Sequence, residues 1–112
     1  MLKVIKSNIE ARHTSLQEGS TQVSLITLGS TQCNAIYLMQ HQNYTKTTAL
    51  TENSFLSVFS GTGELLVKDG DESFYVQIMS GDVFLIPHNT AYTISNIADQ
   101  CLMISEITMK IK

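Results

Sequence analysis

Gly81–Asn96, GDVFLIPHNTAYTISN, decides the fold of this 112-residue chain. A glycine turns the chain, Val83–Ile86 can form a buried strand, and Pro87, the only proline of the protein, follows it. The polar loop His88-Asn89-Thr90 leads into a second strand, with Tyr92, Ile94 and Asn96 on one side and Thr93 and Ser95 on the other. Proline fixes φ and removes a donor, so the ladder cannot run on through Pro87 and the side chains after it are re-aimed. Two strands meeting at such a corner are how a small barrel directs a few residues into its mouth.

Outward from this corner, the chain reads as short strands and turns. Lys68-Asp69-Gly70-Asp71 carries the strongest hairpin signal, joining strands at Glu64–Lys68 and Ser73–Met79. Ser54–Phe59 alternates Ser54, Leu56 and Val58 with Phe55, Ser57 and Phe59, and Ser60-Gly61-Thr62-Gly63 closes it. One of those sets faces out of the barrel, and outward phenylalanines on a strand favour a subunit contact, so a homodimer is expected. His41–Asn53 is the most polar run of the chain and is expected as a surface loop or a barrel lip that meets a ligand. Asn34–Gln40 is apolar on both faces, as for a strand between two layers. Thr21–Leu28 is the first convincing strand, Leu2–Ile5 is a candidate edge strand, and Gln100–Ile107 returns as a final apolar strand. Eight or nine short strands with no helical period predict an all-β sandwich or small barrel.

The spacing within Gly81–Asn96 resembles the second motif of the cupin superfamily, with Gly81, Pro87 and Asn96 in register. Asn89 stands at the usual glycine, a mild change because asparagine tolerates left-handed backbone angles. Val58–Glu64 resembles the closing segment of the first motif, whose initial glycine falls near His41 or Gln42. The resemblance runs over residues 35–107. It implies a single-domain cupin over residues 1–112, a double-stranded β-helix or jelly-roll barrel of the RmlC-like kind.

The same resemblance assigns the family's four metal ligands to Ser54, Tyr92 and either Thr47 and Ala49 or Thr48 and Leu50. A divalent transition-metal site needs three or four imidazole or carboxylate groups on one point, which these residues cannot supply. No metal and no other cofactor is therefore expected. What remains is a pocket lined by the hydroxyls of Ser54, Tyr92 and Thr47, with Tyr37 or Tyr44 nearby, suited to a neutral or sugar-like molecule.

Three functions follow as expectations. The first is a binding module, a sensor, carrier or accessory subunit, with Tyr92, Ser54, Thr47, His88, His41 and Tyr44 as ligand-contacting residues. The second is a metal-independent enzyme resembling the sugar isomerases and epimerases of the superfamily, with Tyr92 as acid and His41 or His88 as base. The third is a structural dimerisation barrel, its interior filled by Leu56, Val58, Leu85 and Met103. A shifted metal site using His41, Glu52 and His88 stands behind these, because donors from unpatterned loops seldom converge.

Composition narrows the partners. Hydrophobic residues make up 43% and charged residues 15%, as in a globular protein rather than a disordered one. A net charge of -3 offers no basic field for nucleic acid or anionic lipid. The sequence has neither an 18-residue apolar run nor a signal-peptide pattern, so a cytoplasmic location is expected. Cys33 and Cys101 are expected as separate reduced thiols in that compartment.

Overall fold

The computed structural model describes residues 13–17, 20–28 and 31–110. Ten strands follow one another: β1 His13–Gln17, β2 Ser20–Leu28, β3 Thr31–Leu38, β4 Asn43–Thr47, β5 Glu52–Ser60, β6 Thr62–Asp69, β7 Glu72–Met79, β8 Val83–Ile86, β9 Ala91–Ser95 and β10 Leu102–Lys110. They form a six-stranded sheet in the order β1-β2-β3-β10-β5-β8 and a four-stranded sheet in the order β4-β9-β6-β7. Every pairing is antiparallel. From β3 on, successive strands alternate between the sheets except at the β6–β7 hairpin, so the two lie face to face as a jelly roll. The candidate strand at Leu2–Ile5 lies outside the described residues.

Strand alternation sends one set of side chains between the sheets. Ile36 and Leu38 of β3, Leu56 and Val58 of β5, and Leu102 and Ile104 of β10 come from the larger sheet. Tyr44 of β4, Leu65 of β6, Ile78 of β7, and Tyr92 and Ile94 of β9 face them from the smaller. Phe59 is exposed on the other side of β5, and Phe55 is half-buried there, as the alternation predicts. Leu85 is exposed and Met103 half-buried, each out of step with the inward residues of its strand, so neither fills the interior as the structural-barrel expectation required.

One element of the sequence reading is corrected. His41–Asn53 is not simply a loop, because β4 lies within it and pairs with β9 from Asn43↔Ser95 to Thr47↔Ala91. Its outward residues Asn43, Thr45 and Thr47 are exposed while Tyr44 is buried. A strand with one wetted face carries polar residues on that face, and here they hid the period.

The turns use left-handed backbone where the motifs place glycine. Gly61 has φ 91°, Gly81 φ 96° and Asn89 φ 54°. His41, near which, or near Gln42, the first motif's initial glycine falls, has φ 67°. At Gly61 a Cβ would lie 2.6 Å from the Cys101 carbonyl oxygen and 3.0 Å from the Leu102 Cα, both backbone atoms that cannot swing away. Gly61→Ala is therefore expected to cost roughly 2–4 kcal/mol, from strained φ plus the clash. Gly81→Ala, with open space around the site, should cost only about 1–2 kcal/mol. Urea unfolding of the two variants checks this, and equal losses would contradict it.

Candidate functional site

Between the sheets, at the end of β10 beyond Ile104, the apolar core gives way to a polar cluster around Glu106. Leu102, Ile104, Glu106 and Thr108 share one face of β10 and are all buried. Glu106 stands opposite Asn34 on one side and Leu56 on the other, while Thr108 stands opposite Ser54. From the smaller sheet come Tyr44 and Lys46 of β4 and Tyr92 of β9, with Lys46 registered against Tyr92. The cluster thus bridges the two layers.

The Glu106 carboxylate, fully buried, accepts four hydrogen bonds. Oε2 accepts from the Tyr92 hydroxyl at 2.5 Å and the Tyr44 hydroxyl at 3.3 Å. Oε1 accepts from Asn34 Nδ2 at 3.3 Å and Lys46 Nζ at 3.3 Å. Lys46 Nζ also donates to Thr108 Oγ1 at 3.2 Å, and Thr108 Oγ1 lies 3.4 Å from Ser54 Oγ. A buried carboxylate is costly unless paired and hydrogen-bonded, and every lone-pair direction of this one is served. Lys46 is the member that reaches solvent, its side chain 24% exposed against 0% for Glu106.

The two tyrosines are held neutral. Burial raises the Tyr92 hydroxyl far above the ordinary tyrosine value, the Glu106 charge and hydrogen bond raise it further, and a Ser54 hydrogen bond opposes them in part. Tyr44 is raised by the same causes in the same order, burial and then Glu106. Their rings pack at 6.4 Å between centroids, tilted by 55°.

The six residues singled out from sequence divide accordingly. Tyr92, Tyr44 and Ser54 meet in this cluster, though their hydroxyls point at one another and at Glu106 rather than into an open pocket. Thr47 is exposed on the outer face of β4, and Tyr37 alternates away from Ile36 and Leu38. His41 and His88 are both exposed and sit at opposite ends of the β4–β9 pair. The backbone N–H of His41 donates to the Asn96 carbonyl at 2.6 Å, beyond the Asn43↔Ser95 end. Asn89, beside His88, donates its N–H to the Ala49 carbonyl at 3.2 Å, beyond the Thr47↔Ala91 end. Those ends are four residue steps apart along the strand, on the order of 13 Å, so the two imidazoles cannot share a metal.

Among the described residues no group of three or more His, Cys, Asp or Glu gathers to hold a metal ion. The donors around Glu106 are phenols, an amide and an ammonium, which do not fit a divalent transition metal. The acid–base pair expected of an isomerase is likewise not formed, since Tyr92 faces Glu106 and not a histidine. Glu106 and Lys46 are the residues that sequence reasoning missed. The signal was available in the alternation: Glu106 continues the inward series Leu102, Ile104, and Lys46 is two residues from Tyr44.

Outside the barrel, a groove of about 260 Å³ runs along the β6–β7 side, lined by Thr62, Glu64, Gln77, Met79 and Ile97 among others. Of its lining residues only Glu64 is ionisable, so it gathers no catalytic set.

No protein-family model matches the chain, and no curated protein matches it either. Solved structures do. KdgF from Halomonas sp. superposes with a TM-score of 0.76 at 13% identity, covering 97% of this chain and 96% of that one. The cupin domain of Schizosaccharomyces pombe Cnp3 gives 0.71 at 17% identity, covering 87% and 69%. CapF of Staphylococcus aureus, a capsular polysaccharide assembling protein, gives 0.75 at 17% identity over 87% of this chain, which spans only 30% of the CapF chain. Likeness at such identities carries the fold alone: the chain has the jelly-roll architecture of cupin domains.

Proposed function

We propose that this cupin-fold barrel is a binding module that takes a small, neutral, hydroxyl-rich molecule at the Glu106 cluster, without a metal. The observation that carries the proposal is the convergence of Asn34, Tyr44, Lys46, Ser54, Tyr92 and Thr108 on or beside one buried carboxylate. Replacing such a network by apolar residues often stabilises a protein, so stability by itself is a weak reason for it.

Lys46 is the gate. Its long stem lets the ammonium swing to solvent as hydroxyls of the incoming molecule take its place on Glu106 Oε1 and Thr108 Oγ1, so the buried carboxylate keeps its donors. A neutral polyol replaces the displaced ammonium with hydroxyl donors, whereas an anionic sugar would bring a second negative charge against the Glu106 carboxylate. The similarity to CapF, a capsular polysaccharide assembling protein, points to the same carbohydrate class.

Backbone amide shifts during titration with glucose, galactose, mannose and rhamnose test the proposal, with glucuronate as the anionic comparison. Saturable shifts on β4, β9 and β10 are expected for at least one neutral sugar, weakened tenfold or more in Glu106→Gln and in Lys46→Met. No saturable shift up to tens of millimolar, or shifts confined to other strands, would overturn it.

A further inference from the structure

β7 ends the four-stranded sheet, and among the described residues it pairs with β6 alone. All six residues from Glu72 to Gln77 are exposed. Phe74 is 51% exposed, Tyr75 70%, Val76 41% and Met79 56%. Phe74 and Val76 share the side of buried Ile78, while Tyr75 and Met79 share the other, so both faces of this strand present apolar side chains to water.

Proteins that stay monomeric blunt such edges with lysine, proline, a bulge or a very short strand. β7 uses none of these. It has eight residues, ESFYVQIM, and an unbroken register with β6 from Thr62↔Met79 to Asp69↔Glu72. Its one charge, Glu72, stands at its first position. The outer groove, lined in part by Gln77, Met79 and Ile97, continues the same apolar region.

We infer that β7 is the seam of a homodimer, in which the β7 strands of two copies pair antiparallel and join their smaller sheets into one. A lone peptide strand would pair with the edge yet cover little of Phe74, Tyr75 and Met79 on the two faces. A second copy brings a whole sheet edge with the same need, and one two-fold contact satisfies both. Pairing about Tyr75 keeps inner face with inner face and sets Phe74 across from Val76 of the second copy, twice, as an aromatic–β-branched pair. It holds the two Glu72 side chains roughly 20 Å apart, so the centre of the seam is uncharged although each copy is net negative. An eight-residue strand pair covers on the order of 500 Å² per copy, less than the ~800 Å² of a standard interface, which makes the dimer concentration-dependent.

Sedimentation velocity of the full chain, from about 1 to 300 µM, reads the outcome. The wild type should move reversibly between monomer and dimer. Tyr75→Lys and Tyr75→Glu, each placing like charges beside the two-fold axis, should each raise the dissociation constant at least tenfold, and an equimolar mixture of the two should restore association. Leu85→Glu, on the exposed outer face of β8, should leave the dimer unchanged. Circular dichroism melts show that each variant is folded, as expected for sites this exposed. A wild type that stays monomeric throughout would overturn the inference. So would a dimer that Leu85→Glu dissociates and Tyr75→Lys does not, which would move the contact to the larger sheet with Phe55 and Phe59. Failure of the mixture to associate would overturn the two-fold geometry.

Discussion

Glu106→Ala is expected to lower the stability of this protein by about 3–5 kcal/mol, a large part of the total for a domain of this size. The loss comes from the partners left behind. The hydroxyls of Tyr44 and Tyr92 and the amide of Asn34 are all buried, and each would lose an acceptor that water cannot replace. Lys46 contributes little to the loss, since its partly exposed ammonium can turn to solvent. Urea unfolding measures the change. Adding Tyr92→Phe to Glu106→Ala should recover part of it, because the buried hydroxyl left without an acceptor is then removed as well. A Glu106→Ala loss below about 1 kcal/mol would show that the buried donors around Glu106 do not depend on it.

Alkaline pH is expected to unfold the protein steeply. Tyr44 and Tyr92 have their hydroxyls raised well above the ordinary value near 10, by burial first and by Glu106 second. Below pH ~10 the two tyrosines keep their protons in both folded and unfolded chains, and their contribution is fully present. Above that value the unfolded chain releases two protons that the folded one retains, so stability falls as pH rises, by about 1.4 kcal/mol per pH unit for each tyrosine. Together they remove about 4 kcal/mol between pH 10 and 11.5. Absorbance at 295 nm should show two of the four tyrosines ionising only together with the loss of the far-ultraviolet β signal. In Tyr44→Phe the pH slope should halve. Smooth ionisation of all four tyrosines in a chain that stays folded would contradict the burial of this pair.

Much of the fold was legible in sequence because its signals are local. Gly81, Pro87 and Asn96 act within a few residues of themselves: a left-handed turn, a blocked ladder, and an amide that accepts from the Ala98 N–H at 2.9 Å and donates to the Gln100 carbonyl at 2.7 Å. Tyr92 and Ser54 were found because motif position and the hydroxyl-lined wall both indicated them, and Tyr44 only as a tyrosine near that wall. Glu106 was missed because a charge inside the apolar run Gln100–Ile107 was taken with the run. Lys46 was missed because it sits in a segment whose polar composition suggested a loop.

The all-β class, the proline corner and the Asp-Gly hairpin could be read without any tertiary contact, since each depends on residue type and on neighbours a few positions away. The place of the polar cluster depends on how the two sheets pack. Glu106 meets Tyr44 and Lys46 across 62 and 60 residues of chain, and those contacts exist because β10 and β4 lie in opposite sheets whose inner faces meet. The separation of His41 from His88 is equally a matter of register, since both flank the same strand pair and antiparallel pairing sends them to opposite ends. Spacing along the chain constrains neither, because distance between sheets is set by which strands alternate, and that follows from burying every inward face at once.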